Sequence, residues 1–477
     1  MMKKHESPTN GALSDDTLPA RLGSYYEAAI PDTLDLAERA TLGLHHFTSI
    51  ISEEHGYEMP LLGDFDRFCL PAVTFHMNAL GSCQCKAMEA MAMLRVMSGS
   101  LQHVAREAKM VEMMTSLLGD DGLHWVPGGR ADKPWIAIPE PFVMVHGQGR
   151  IVRAMIAWYQ YTGDPTWKGR IDRLVDGLDR MMVVHKDDYA YFPVYGHYEA
   201  EYLRSCYTKK GWKDTVEPTN EKFGEERSLF NHQGHIPGTL ANWYLLTGNE
   251  QALRLSGELV RFLTKPKFWA DWSGGEYPDV VGPDHAHWNG HFPGYINTLR
   301  AIFEYAIATN DSRLKAFVRD GYEWARQPMF ARIGYVGDGQ ACGCGRLIGL
   351  AVKLTDAGVG DYWEDVDLYI RNHGIEMQFT PEDIPHLPGL GEGKPEPPHD
   401  PGLSTVGVTE AAPGGFAGRT KARFWLCCSP HGSMGLFYAW EGSLRYAAGV
   451  AYVNLLLNRA SPWMDVDSYL PYQGKVV

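Results

Sequence analysis

Cysteine is the residue whose placement first suggests chemistry. Most of the eight in the chain fall in close groups: Cys83-Gln84-Cys85, Cys342-Gly343-Cys344 and the adjacent pair Cys427-Cys428. A thiolate is both a nucleophile and a soft metal ligand. Cys342 and Cys344 with Cys427 and Cys428 offer the four donors of a tetrahedral zinc (Zn2+) site, although neither group has the two-residue gap usual in zinc fingers. Gly343 and Gly345 remove side-chain bulk around the first pair, and Ser429-Pro430-His431-Gly432 supplies a turn behind the second. The competing reading is buried, inert thiols, since free cysteine is among the most buried residue types. Cys83 and Cys85 have only Cys69 as a further partner and read as structural.

Histidine forms the second pattern. His146-Gly147-Gln148-Gly149-Arg150, His232-Gln233-Gly234-His235 and His285-Ala286-His287-Trp288-Asn289-Gly290-His291 each stand just before a helical segment. Neutral imidazoles can donate and accept hydrogen bonds to sugar hydroxyls, and a tryptophan such as Trp288 offers a stacking face. A single histidine reads more readily as a satisfied loop residue than as a ligand; three groups at equivalent repeat positions weigh a shared site evenly against that. Carboxylates are too many to single out by position: Glu199, Glu201, Glu276, Glu323, Asp338, Glu364, Asp365 and Asp367 all lie near these segments.

These residues need elements to position them, and a repeat supplies them. A helical segment ends in a Gly or Asn turn, and an amphipathic helix follows. The joints are Ser98-Gly99-Ser100, Thr162-Gly163-Asp164-Pro165, Thr247-Gly248-Asn249, Thr309-Asn310-Asp311 and Thr355-Asp356-Ala357-Gly358. Gly or Asn accepts the left-handed conformation that ends one helix, and Asp, Asn or Ser caps the next. Pro165 suits a first turn, and Ile171, Leu174, Val175 and Leu178 keep helical spacing. Five such hairpins at irregular intervals predict an all-α (α/α)6 toroid rather than an even solenoid. A sixth pair is expected from Thr33 to Ile51 and the helix after Pro71. Residues 1–30 read as a polar N-terminal segment and 31–432 as the toroid. Within it, Pro381 to Gly418 is a Pro/Gly-rich lid or excursion. Residues 433–477 read as the start of a small β-region.

Composition narrows the classes. The 477 residues carry 44 Lys+Arg against 58 Asp+Glu, a net charge of −14 with no basic run, which argues against a nucleic-acid partner. Aromatic content of 12% suits stacking surfaces. No apolar stretch approaches the roughly 18 residues of a membrane span, and the polar start lacks the apolar core of a signal peptide. The expectation is a cytoplasmic protein without a membrane partner, acting on a small carbohydrate; a homodimer is left open.

From about Pro141 onward the chain resembles the β-L-arabinofuranosidase family of glycoside hydrolases, family 127. The resemblance rests on Tyr159-Gln160-Tyr161-Thr162-Gly163-Asp164, Thr247-Gly248, Gly290-His291 with Thr309 after it, a cysteine opening the next helix, Tyr362 to Asn372, and Cys427-Cys428 with Pro430 behind. It implies a zinc ion held by a Glu-x-Cys element and the later Cys-Cys pair. Cys427 would be the nucleophile, with Cys342 and Cys428 as ligands beside it. His235 and His291 would contact substrate, and Asp367 would stand at a family glutamate. The sequence departs from the family in four places. Gln340 stands where the metal-binding Glu is expected, so Cys344 becomes its substitute. Between Arg332 and Gln340 the sole carboxylate is Asp338, the replacement acid alongside Glu323. Arg150 stands at a family histidine. The family's β-sandwich is represented only by Gly449 to Val477. The resemblance thus implies a zinc-dependent retaining glycosidase acting on a small furanoside or related sugar, with Arg150 and the changed acid pointing to an altered, acidic substrate or a lost activity. The alternatives are a non-hydrolytic sugar-binding relative with structural zinc, and a toroid lyase or epimerase working through His and Tyr.

Overall fold

The computed structural model describes residues 33–185, 188–192, 201–204, 233–265, 268–269, 292–327, 329–330, 332–336, 339–391, 393–471 and 473–477. Helices dominate. In chain order the long ones are α1 (Leu36–Ile50), α2 (Gln84–Ser98, entered through a π-helical turn at Ala79–Cys83), α3 (Val104–Ser116), α4 (Val145–Thr162), α5 (Thr166–Met181) and α6 (Ile236–Thr247). They continue with α7 (Glu250–Leu263), α8 (Phe292–Thr309), α9 (Ser312–Arg326), α10 (Ala341–Asp356), α11 (Trp363–Tyr369, prolonged by a π-helical turn to Gly374) and α12 (Ser429–Gly442).

Their packing is a closed double ring. The even-numbered helices touch in succession, α2 to α4, α6, α8, α10 and α12, and α12 returns to α2. Odd-numbered helices pack outside them: α5 on α4, α7 on α6, α9 on α8 and α11 on α10. This is the (α/α)6 toroid the repeat predicts. The sequence explains the layering. Outer helices α7 and α9 bury one stripe, such as Leu255, Leu259, Val260 and Phe262 on α7, whereas α12 is buried on nearly every face. A stripe suits a two-layer position and an all-round apolar surface suits an enclosed one.

The joints are built as expected. Gly99, Gly163 and Gly248 end α2, α4 and α6 with left-handed backbone, and Asn310 does the same after α8 at φ 53°. Asn249 and Asp311 then cap α7 and α9 by accepting backbone N–H groups. For the sixth pair, α1 packs on α2, the helix after Pro71, as expected, and it also packs on α12, the last helix of the ring. The β-region begins later than residue 433. Ser433 to Gly442 belongs to α12, because an enclosed helix needs no amphipathic period and so reads ambiguously.

Short strands decorate the ring. β1 (Leu62–Asp64), β2 (Ala72–Thr74), β7 (Leu403–Ser404) and β8 (Arg423–Trp425) form an antiparallel sheet in the order β7-β2-β1-β8. β3 (Phe142–Met144) pairs with β6 (Glu201–Leu203), and β4 (Val183–His185) with β5 (Tyr189–Tyr191). The C-terminal hairpin β9 (Leu444–Ala447) and β10 (Val450–Val453) turns at Ala448-Gly449, both left-handed. Among the described residues no helix is long and apolar enough to cross a membrane.

Candidate active site

The inner helices run the same way around the ring, so their N-terminal ends gather at one mouth. Contacts between early residues of successive helices show it. Arg150 on α4 donates to His235, which opens α6, at 3.1 Å, and it also meets Ser82 in the turn before α2. Arg346 on α10 pairs with His431 on α12 at 2.8 Å, and Lys86 on α2 donates to the Cys427 carbonyl at 3.3 Å. Close backbone approach makes the mouth narrow. A Cβ on Gly345 would overlap the His431 carbonyl, and one on Gly147 would overlap the Gly81 carbonyl. Glycine is required at both points because the helices touch there without side chains.

Ring closure brings the distant cysteines together. Cys428 Sγ lies 3.6 Å from Cys342 Sγ and 3.5 Å from Cys427 Sγ. Gln340, the residue before α10, accepts from Cys342 Sγ at 3.4 Å. Hydrogen bonds to the two neighbouring thiols and burial push the Cys428 thiol well above its ordinary value. Cys344, expected in the same cluster, points elsewhere. Its thiol faces the Tyr369 carbonyl at 3.9 Å, on the α11 side of α10. Two residues along a helix turn a side chain roughly 200°, so Cys342 and Cys344 cannot share one face. Cys83 and Cys85 are buried, and burial pushes the Cys85 thiol up to about 12.

Zinc fits this cluster in its donor chemistry and in part of its geometry. A tetrahedron with Zn–S bonds of about 2.3 Å has edges of about 3.8 Å. The two sulfur contacts at 3.5 and 3.6 Å approach that edge. The fourth donor would be the neutral Gln340 amide oxygen, weaker than the carboxylate it replaces. Among the described residues no group of three or more His, Cys, Asp or Glu side chains is placed so that it could hold a metal ion.

Along the axis the polar groups are dense. His235 and His431 are held neutral by burial and by the positive charges of Arg150, Arg346 and Lys86. One to two turns further along the helices, Glu304 on α8 takes Arg153 at 2.8 Å, Arg300 at 3.1 Å and Lys353 at 3.4 Å. These cations hold its carboxyl well below the usual range despite its burial. Glu89, on the Lys86 face of α2, is different: burial pushes its carboxyl up to about 7, against the pull of Arg153 and Arg300. Sequence reading missed Glu89, Lys86, Arg346 and His431. The signal was present in charged residues inside otherwise apolar inner-helix segments, which a packed core tolerates only when they are used or paired.

Other expectations fall elsewhere. Asp367 sits on α11, paired with Arg371 at 2.8 Å and partly exposed, outside the ring and away from the thiols. Carried on an outer helix and engaged by Arg371, it is not among the groups described at the axis. Glu323 is likewise on an outer helix, accepting from Tyr362 and Arg326. His146 is buried near the start of α4. Asp338, Trp288 and His291 lie outside the described residues.

A cleft of about 760 Å³ is lined by the β1, β2, β7 and β8 sheet and by the Pro/Gly-rich stretch. Its walls include Phe68, Trp425, Arg67 and Arg419, and Gln340 lies in its lining. Gln340, which accepts from Cys342, is therefore part of the cleft wall.

No family model and no curated protein matches the sequence. Solved structures do match in fold. A cellobiose 2-epimerase from Bacillus thermoamylovorans B4167 aligns over 84% of this chain and 98% of its own, with TM-score 0.53 and 10% identity. The family 127 β-L-arabinofuranosidase of Geobacillus stearothermophilus T6 aligns over 94% of this chain and 72% of its own, with TM-score 0.52 and 12% identity. A family 76 glycoside hydrolase from a bovine Bacteroides thetaiotaomicron strain aligns over 85% and 77%, with TM-score 0.51 and 13% identity. The chain thus has the α/α toroid fold seen in sugar-processing enzymes. At these identities the likeness is one of architecture.

Proposed function

We propose that this protein is a carbohydrate-active enzyme, a retaining glycosidase with Cys427 as nucleophile. The observation that carries the reading is the meeting of Cys342 with Cys427-Cys428 at the mouth of a toroid, beside a cleft with aromatic walls. Zinc held by Cys342, Cys427, Cys428 and Gln340 would supply positive charge that favours the thiolate over the thiol. The protein's own groups then account for the reaction. Cys427 sulfur forms a bond to the anomeric carbon as the glycosidic C–O bond breaks, and the leaving oxygen takes a proton from Glu89. A carboxyl near 7 is half protonated at neutral pH and suits both giving and recovering a proton. Water then attacks the anomeric carbon and passes a proton to Glu89, and the thiolate departs.

Metal analysis of the purified protein and a panel of aryl glycosides test this. The expected outcome is about one zinc per chain, turnover of at least one glycoside, and a loss of at least a hundredfold in Cys427→Ala. A thioglycosyl adduct on Cys427, seen by mass spectrometry with a slow substrate, is expected as well. Full turnover by Cys427→Ala refutes the thiolate mechanism.

One observation favours a second reading. His235 and His431 are neutral, buried imidazoles at the axis and could accept a proton from a sugar carbon, as an epimerase or lyase requires. That reading predicts sugar isomerisation that survives Cys427→Ala and vanishes in His235→Ala. A binding protein without turnover is the remaining alternative, distinguished by sugar affinity with no product.

A further inference from the structure

The Pro/Gly-rich stretch and the loop between β1 and β2 are fastened to each other, and the mechanism above uses neither. Asp66 makes a tight turn by accepting from the Phe68 N–H at 2.8 Å. Lys394 donates to the Arg67 carbonyl, and the Leu70 N–H donates to the Pro395 carbonyl at 3.0 Å. A Cβ on Gly389 would overlap the Asp66 carbonyl, so the two backbones touch there and glycine is required. At these points the Pro/Gly-rich stretch is a fixed wall rather than a lid.

The fastening holds an apolar ring in the open. Phe68 lines the cleft yet is 67% exposed. The Arg67 guanidinium carbon stands 4.5 Å from the centre of its ring. A cation over one face steadies the ring and leaves the other face for contact. Trp425, in the same cleft, lies against Gly418, where a Cβ would rest 3.5 Å from three of its ring atoms. Glycine gives the indole a flat backing. Thr74, Thr420 and the ion pair of Asp64 with Arg423 add hydrogen-bonding groups to the same walls. A lone exposed phenylalanine is ordinary on a surface loop. One held by its neighbours inside a cleft, with a second aromatic ring and polar groups around it, has the makeup of a binding surface.

We propose that this cleft is a set of subsites for an oligosaccharide, with Phe68 and Trp425 stacking sugar rings joined to the one that reacts. Of the residues around the thiols only Gln340 reaches the cleft wall. The reacting ring therefore belongs on the thiol side of Gln340, and the cleft serves further units of the same chain. Aromatic faces meet the C–H face of a sugar, while its hydroxyl edge finds threonine, carboxylate and guanidinium groups. The size agrees: pockets of about 300–1,000 Å³ enclose drug-sized ligands, whereas a single sugar has only about a dozen heavy atoms. The inference rests on the carbohydrate reading above and sets the size of the substrate.

Calorimetric titration of the purified protein with mono-, di- and trisaccharides of the gluco, manno, xylo and arabino series tests it. In a series that binds, the trisaccharide is expected to bind at least tenfold tighter than its monosaccharide. Phe68→Ala should weaken the trisaccharide at least fivefold and leave monosaccharide affinity and melting temperature unchanged, because so exposed a ring supports no core. Phe68→Tyr, which keeps the stacking face, should restore trisaccharide binding. Equal affinity along every series, or trisaccharide affinity untouched in Phe68→Ala, overturns the subsites while the glycosidase reading stands. Failure of every sugar to bind overturns the carbohydrate reading and the subsites with it.

Discussion

At the scale of single residues, environment rather than residue type separates working groups from inert ones. Glu89 and Glu304 are both buried carboxyls on inner helices, yet they are driven in opposite directions. Three cations hold Glu304 ionised, while burial pushes Glu89 up to about 7. If Glu89 is the acid, its protonated form is required, so activity should decline as pH rises through about 7. Glu89→Gln should remove that alkaline limb and lower turnover at least a hundredfold. A pH–rate profile with the same limb in the variant would assign it to another group. The meeting of Cys342 with Cys427-Cys428 could be anticipated from residue type and grouping in the sequence. Glu89 could not, since a glutamate in an Ala/Met-rich helix reads as a surface residue until the ring encloses it. Cys344 failed for a different reason: closeness along a helix is not closeness in space.

Among the elements, the hairpins could be read in advance because Gly, Asn and Asp at their joints obey local rules. Position within the ring could not, since it depends on which helices meet across long stretches of chain. The contact of α10 with α12 is decisive for the site, and Gly345 sets it. Gly345→Ala would drive a methyl group into the His431 carbonyl. Backbone cannot yield cheaply, so the two helices should separate and take Cys342 away from Cys428. Overpacking of this kind costs about 1–3 kcal/mol. A lowered melting temperature is expected, and on the proposed mechanism a loss of zinc and turnover with it. An unchanged melting temperature would mean that the interface has slack. The same reasoning explains why α12 was read as strand beyond Ser433: apolar faces all round leave no period to recognise.

The whole molecule carries several imidazoles that it keeps neutral. Burial holds His46, His124 and His373 near 4, against an ordinary value of 6.5. The unfolded chain takes up these protons first as pH falls. Stability is therefore full above about 6.5 and is lost progressively towards 4. Urea midpoints should decline markedly from pH 7 to pH 5, and equal midpoints would show that these histidines titrate normally. The ring itself has a further consequence. Its first outer helix, α1, packs against its last inner helix, α12, and α12 closes onto α2. A chain emerging from the ribosome therefore lacks a finished barrel until Ser429–Gly442 has been made. Until then Cys342 has no Cys428 to meet, and the cysteine cluster at the mouth does not exist. On the proposed mechanism, activity would arise only once synthesis has passed α12, and a product ending before α12 should be as inert as one never begun.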